Sequence, residues 1–286
     1  MRDRDPPLPS RPRRPTSACW ASGVVSPAVT AALNVLRRLL RDRMSLAAGG
    51  VLVVITLAAW LGVVLQAAAP MAGSVTAEGL VFLSAWGIMM AAMMLPSAMP
   101  MIALYGAMRQ KATGTRLAGA STALFALVYL AVWVAFGVPV YVATVVIGAQ
   151  MGLADLLPYA LAVVLVAAGV YQLTPLKRAC LRVCRNPLSF LLARSRSGYR
   201  GTLGLALEHA AYCVGCCWGL MVVLVAAGAM ALNWVLLIAA VVSVEKLLPR
   251  GEWTARVVGG ILVLSGLAVA VHPDLAIALR PSSMGM

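Results

Sequence analysis

Seven apolar stretches, joined by connections that are alternately basic and free of basic residues, leave this chain few ways to fold. The stretches run over about 46–68, 79–108, 117–140, 153–173, 202–229, 233–249 and 254–271. At about 1.5 Å of rise per helical residue, each approaches or exceeds a hydrocarbon core of roughly 30 Å, the sixth being the shortest. The segment before the first stretch holds nine Arg. The second connection holds Arg109, Lys111 and Arg116. The fourth holds Lys177, Arg178, Arg182, Arg185, Arg194, Arg196 and Arg200, and the sixth Lys246, Arg250 and Arg256. The first, third and fifth hold none, so of the 23 basic residues only Arg280 departs from the alternation. Basic residues collect on the cytoplasmic side of a bilayer. The expected fold is therefore an all-α, polytopic membrane helix bundle of about seven transmembrane helices plus an interfacial helix. It would sit in the cytoplasmic (inner) membrane with the N-terminus cytoplasmic and the C-terminus outside.

Composition agrees. The 286 residues are 62% hydrophobic and 11% charged. A net charge of +14 invites a nucleic-acid partner, but its placement beside apolar stretches argues for lipid instead. Three regions follow: 1–45 as a disordered basic tail and amphipathic interfacial helix, 46–272 as the seven-helix domain, and 273–286 as a short C-terminal tail. Six prolines among arginines in 1–27 suit a disordered tail, in which Cys19 is incidental, and the pattern is not that of a signal peptide. In 28–43, Leu33, Leu36, Leu39 and Leu40 oppose Arg37, Arg38 and Arg41, a helix suited to the anionic cytoplasmic leaflet. Met44 is an alternative start that would make the tail dispensable.

Chemistry concentrates in the fifth stretch. At 100° per residue His209, Cys213, Cys216 and Cys217 share roughly a quarter of the helix circumference. Three thiols and an imidazole on one apolar face suit a soft metal ion, although free Cys also packs as a small hydrophobe. In the second stretch Met89, Met90, Met93 and Met94 repeat at i,i+4. Their thioethers suit Cu(I) or fill a core. Pro96 and Pro100 are expected to break or kink that helix, and Pro139 to kink the third stretch.

The fourth connection predicts a helix from about Pro175 to Arg185, capped by Thr174 and stopped by Asn186-Pro187. Leu176, Cys180, Val183 and Cys184 would face inward, and Lys177, Arg178, Arg182 and Arg185 outward. Cys180 and Cys184, one turn apart, could chelate a metal or simply pack. Glu208 falls off the cysteine face, suited to polar glue or a proton site. Glu245 is expected to pair with a nearby base. Gly201, Gly204, Gly215, Gly219 and Gly228 would permit close helix approach.

Together these motifs resemble a bacterial family of predicted metal-binding integral membrane proteins, a domain of unknown function, over roughly residues 80–270. The resemblance rests on Trp86-x2-Met89-x3-Met93-Met94-Leu95-Pro96 and on Tyr171-Gln172-x-Thr174-Pro175-x-Lys177-x2-Cys180-x3-Cys184-Arg185-x-Pro187. It also rests on Cys213-x-Gly215-Cys216-Cys217-Trp218-x2-Met221 and on Glu245-Lys246-x2-Pro249. Ala210 stands where the family pattern has Gly.

Three function classes fit. The first is binding of a soft metal ion, Cu(I) favoured over Zn(II), for transport, trafficking or metalloprotein assembly. Its ligands would come from Cys213, Cys216, Cys217, His209, Cys180, Cys184, Met89, Met90, Met93 and Met94, with a metallochaperone or membrane partner. The second is a membrane thiol–disulfide or metal-dependent oxidoreductase, disfavoured because a reactive Cys-x-x-Cys works best at a helix N-terminus. The third is a structural partner subunit with inert thiols. No catalytic residue is expected.

Overall fold

A computed structural model of the chain describes residues 43–67, 75–149, 157–194, 198–228, 231–248 and 250–276. The expectations for the basic tail, the 28–43 helix, Cys19 and the C-terminal tail from 277 onward lie outside these residues. Among the described residues there are nine helices and no strand. They are α1 (Arg43–Ala67), α2 (Val75–Thr113), α3 (Thr115–Ala149), α4 (Leu157–Leu173), α5 (Pro175–Arg185), α6 (Pro187–Arg194), α7 (Gly198–Gly228), α8 (Leu232–Leu247) and α9 (Gly251–Val271).

Each of the seven apolar stretches carries a helix, but among the described residues fewer than seven reach membrane-crossing length. Four are long and apolar enough: Glu78–Thr113, Thr115–Val146, Gly198–Gly228 and Gly251–Val271. The pair α4 and α5 qualifies only if taken together across a bend of 63°. The apolar part of α1, Gly49–Leu65, and the 16 residues of α8 are shorter; at 1.5 Å per residue each covers only about 25 Å.

Of the break or kink expected in the second stretch, no break occurs. Helix α2 runs unbroken through Pro96 and Pro100, as α3 does through Pro139. A proline removes one intrahelical hydrogen bond, and packing on both sides restrains the helix against opening there. Helices α1 and α3 supply that packing. Trp86 of α2 donates its indole N–H to Trp133 O at 2.9 Å and lies over Gly137, where a Cβ would come within 2.5 Å of the indole.

Small residues set the closest helix pair. A Cβ on Gly169 of α4 would stand 2.7 Å from Gly259 O, and one on Gly266 of α9 would stand 2.9 Å from Ala162 O. The two backbones therefore touch with no side chain between them. On α7, Gly215 faces Cys180 and Gly219 faces Tyr171, so those two do permit close approach. Gly204 does not, since a Cβ there would meet open space, and Gly228 instead ends the helix at φ +121°.

The α5 helix forms as its caps dictate. The Thr174 hydroxyl accepts from Lys177 N at 3.3 Å, Pro175 occupies the first turn, and Asn186 ends it. Cys180, Val183 and Cys184 face the core as expected, but two positions differ: Leu176 is exposed, while Lys177 is fully buried beside Cys180 and Leu181. The reason is a distant partner. Lys177 Nζ lies 2.6 Å from Glu245 Oε2 of α8, and Gln172 Nε2 donates to Glu245 Oε1 at 3.0 Å. A buried ammonium needs such a pair, and the pair pins α5 against α8. Helix α6, absent from the sequence expectation, follows at once and buries Phe190 and Leu191.

Candidate metal centre

Helix α7 presents Cys213, Cys216 and Cys217 to the interior, each 1% exposed, so none faces lipid. Their sulfurs lie within 4.8 Å of one another. The neighbours Cys216 and Cys217 have sulfurs 3.4 Å apart. From α5, Cys184 brings a fourth sulfur to 3.8 Å from Cys216 Sγ. All are free thiols, separated by far more than the roughly 2.05 Å of a disulfide. Sulfurs sharing one ion at about 2.3 Å stand about 4.0 Å apart when trigonal and about 3.8 Å apart when tetrahedral. The thiols thus already hold nearly the spacing that a shared soft ion requires.

The other expected ligands divide. Cys180 is buried on α5 but rests against the backbone at Gly215, its sulfur 2.9 Å from where a Cβ would be. One turn of α5 thus separates a packing thiol from a converging one. His209 is buried on the cysteine face but is not a member of the three-thiol group. Its ring sits among Phe125, Tyr129 and Phe190, with centroids 5.7–5.9 Å away, and its Nδ1 has no hydrogen-bond partner. Met89, Met90, Met93 and Met94 are all buried in the same core cluster as the cysteines.

The link between the methionine helix and the cysteine helix runs through α3. Tyr129 Oη lies 3.0 Å from Cys213 Sγ and 3.5 Å from Met94 O. Farther along, Tyr105 of α2 shares a 2.7 Å hydrogen bond with Thr202 of α7.

Three contributors escape the sequence reading. Lys246 Nζ lies 3.0 Å from Cys213 Sγ and 3.1 Å from Ser97 Oγ, with the side chain buried. Tyr129 adds its hydroxyl to the same sulfur. Cys213 is thereby set apart from the other thiols, since an ammonium and a phenol both stabilise negative charge on it. Lys246 did carry a signal, being a lysine inside an apolar stretch within the Glu245-Lys246-x2-Pro249 motif. Ser97 and Tyr129 carried none, because their roles depend on α2 and α3 meeting α7 and α8.

In the structure the thiols are level with α5 and with the last turn of α8, which carries Glu245 and Lys246. Helix α7 is nearly twice as long as α8 and runs past its end. The centre therefore lies where the short helices stop.

Glu208 acts as polar glue: it forms an ion pair with Arg194 of α6. The Arg194 guanidinium also lies 5.5 Å from the ring centres of Phe190 and Tyr212, fixing α6 to α7.

A family model described as copper chaperone (PpoB2) matches residues 83–269. That match takes in the methionines of α2, both thiols of α5, the α7 cysteines and Lys246. No curated protein and no solved structure matches the chain.

Proposed function

The chain belongs to the PpoB2 copper chaperone family, and from that premise we propose that it is an integral membrane protein that receives, holds and passes on Cu(I). The observation that carries this reading is the convergence of the Cys213, Cys216 and Cys217 sulfurs, with Cys184 beside them. Four thiols with little oxygen or nitrogen competition favour a soft monovalent ion, and the buried methionines extend the soft character of the surroundings. Zn(II) is the rival on thiolate chemistry alone. Family membership supports copper over zinc.

Each group has a role. Cys213, steadied by Lys246 and Tyr129, is the sulfur best prepared to be a thiolate before metal arrives. Cys216 and Cys217 complete the group. Cys184 is the least buried of the four and lies on the cytoplasmic helix, so it is the entry thiol. Copper passes from Cys184 to Cys216 by ligand exchange: a new Cu–S bond forms as the old one breaks, the ion stays Cu(I), and the proton given up by the incoming thiol is taken by the thiolate that leaves. The fixed ammonium of Lys246 offsets part of the negative charge that a copper dithiolate brings into an apolar interior. The oxidoreductase alternative gains no support, because Cys213 lies roughly 22 Å along α7 from its first residue, far from a helix N-terminus.

The test is copper content of the purified protein, loaded as Cu(I) anaerobically and counted by mass spectrometry against a chromogenic Cu(I) competitor. Wild type is expected to retain copper, and the triple variant C213S/C216S/C217S to retain none. Equal copper in both would remove the thiol centre from the reading.

A further inference from the structure

Outside the thiol centre, one unexplained feature among the described residues is a slot between α1, α2 and α3 of about 440 Å³. Leu52 and Ile55 of α1, Ile102 of α2, and Gly119, Ala123 and Leu127 of α3 line its walls. That volume falls in the range of about 300–1,000 Å³ typical of ligand sites. Along α2 the lining runs from Leu95 to Gln110, or roughly 22 Å at 1.5 Å per residue. One leaflet of hydrocarbon is about 15 Å deep, half the core, so the slot has the length of an acyl chain.

One end of the slot is polar in a particular way. Gln110 lines it, and Gln110 Oε1 is buried without a hydrogen-bond partner. Arg109, next to it on α2 but outside the slot's lining, has a buried Nε that is likewise unpartnered. Thr122, the other polar wall residue, is satisfied through Ala118 O at 2.8 Å. Lys111 and Arg116 are exposed on either side of the α2–α3 turn at Gly114, and residues 103–123 contain no acid. Leaving such donors and acceptors unmade in a buried place is costly. A group that carries a phosphate beside a hydroxyl would satisfy both the guanidinium and the amide oxygen.

We infer that this slot is a binding site for an anionic phospholipid of the cytoplasmic leaflet. One acyl chain lies along α2, the phosphate lies against Arg109, Lys111 and Arg116, and a headgroup hydroxyl donates to Gln110. The competing occupant is the chain's own segment 28–43, but it carries Arg37, Arg38 and Arg41 and would set like charge against like. The inference rests on the membrane reading of the bundle and not on the copper reading.

The experiment is lipid retention by native mass spectrometry of full-length protein purified from phosphatidylglycerol/phosphatidylcholine vesicles. Wild type is expected to keep phosphatidylglycerol at least several-fold over phosphatidylcholine. Gly119→Leu, where an added Cβ meets open space, should fill the slot without a clash and abolish retention. The triple variant R109Q/K111Q/R116Q should keep the slot but lose the headgroup preference. Copper content measured on the same samples should be unchanged, which separates this site from the thiol centre. Equal retention of the two lipids by wild type, or full retention by Gly119→Leu, overturns the assignment. So does a photo-crosslinker at Ala123 that captures residues 28–43 instead of lipid.

Discussion

Breaking the buried Lys177–Glu245 pair should damage the protein more than deleting it whole. The two side chains are each 1% exposed and 2.6 Å apart, with Gln172 as the third member. Glu245→Leu leaves an ammonium in an apolar interior with no counter-charge. Removing one partner of such a pair typically costs about 3–5 kcal/mol. Replacing both with apolar groups of similar size is often neutral, because neither charge then has to be desolvated. For chains of 150–250 residues each kcal/mol moves Tm by about 2–4 °C, so the single variant should melt roughly 6–20 °C lower. The double variant K177M/E245L should recover most of that loss. The assay is thermal unfolding in detergent, followed by tryptophan fluorescence, for wild type, both single variants and the double. Because the pair pins α5, the single variants should also release Cys184 from Cys216 and make it react faster with a maleimide. Additive losses, with the double variant worse than either single, would refute the buried-pair argument. So would a Glu245→Leu protein with unchanged Tm.

Three other outcomes follow from the geometry. Cys184→Ser should slow Cu(I) uptake from a thiol donor about tenfold or more, while Cys180→Ser, which alters a packing thiol, should leave uptake rate and copper stoichiometry unchanged by stopped-flow and metal counting. Lys246→Met should weaken Cu(I) retention by about ten- to a hundredfold in competitor titrations, since a charge-assisted hydrogen bond is worth about 1.5–3 kcal/mol; Lys246→Arg should restore part of it. Gly259→Leu places a side chain where a Cβ alone would stand 2.9 Å from Gly169 O, so it should force α4 and α9 apart and lower Tm by about 2–12 °C, from an overpacking cost of about 1–3 kcal/mol.

Much of this molecule can be read locally. The apolar stretches, each long enough to be a helix, appear as helices because a helix bonds every interior backbone group within its own segment, whatever surrounds it. The α5 boundaries follow from three residues, Thr174, Pro175 and Asn186, because capping is a contest between neighbouring backbone groups and nothing distant enters it. The cysteine face of α7 follows from the helical period alone. Periodicity placed Cys180, Val183 and Cys184 of α5 inward, as they are, but could not place Lys177. A pattern of charged and apolar positions assigns Lys177 to water, and that assignment fails when an acid from another helix arrives at 2.6 Å. The same is true of the metal centre's surroundings. Cys184 and Cys180 are equivalent by spacing, yet one meets Cys216 and the other the backbone of Gly215. Lys246 and Tyr129 reach Cys213 from 33 and 84 residues away, and Ser97 reaches Lys246 from 149 residues away. Local sequence sets where helices begin, end and turn their faces, because those energies arise between near neighbours. Which polar group is buried and which thiol can share an ion is settled by long-range packing, because only a partner brought in by another helix can offset the cost of removing a charge from water.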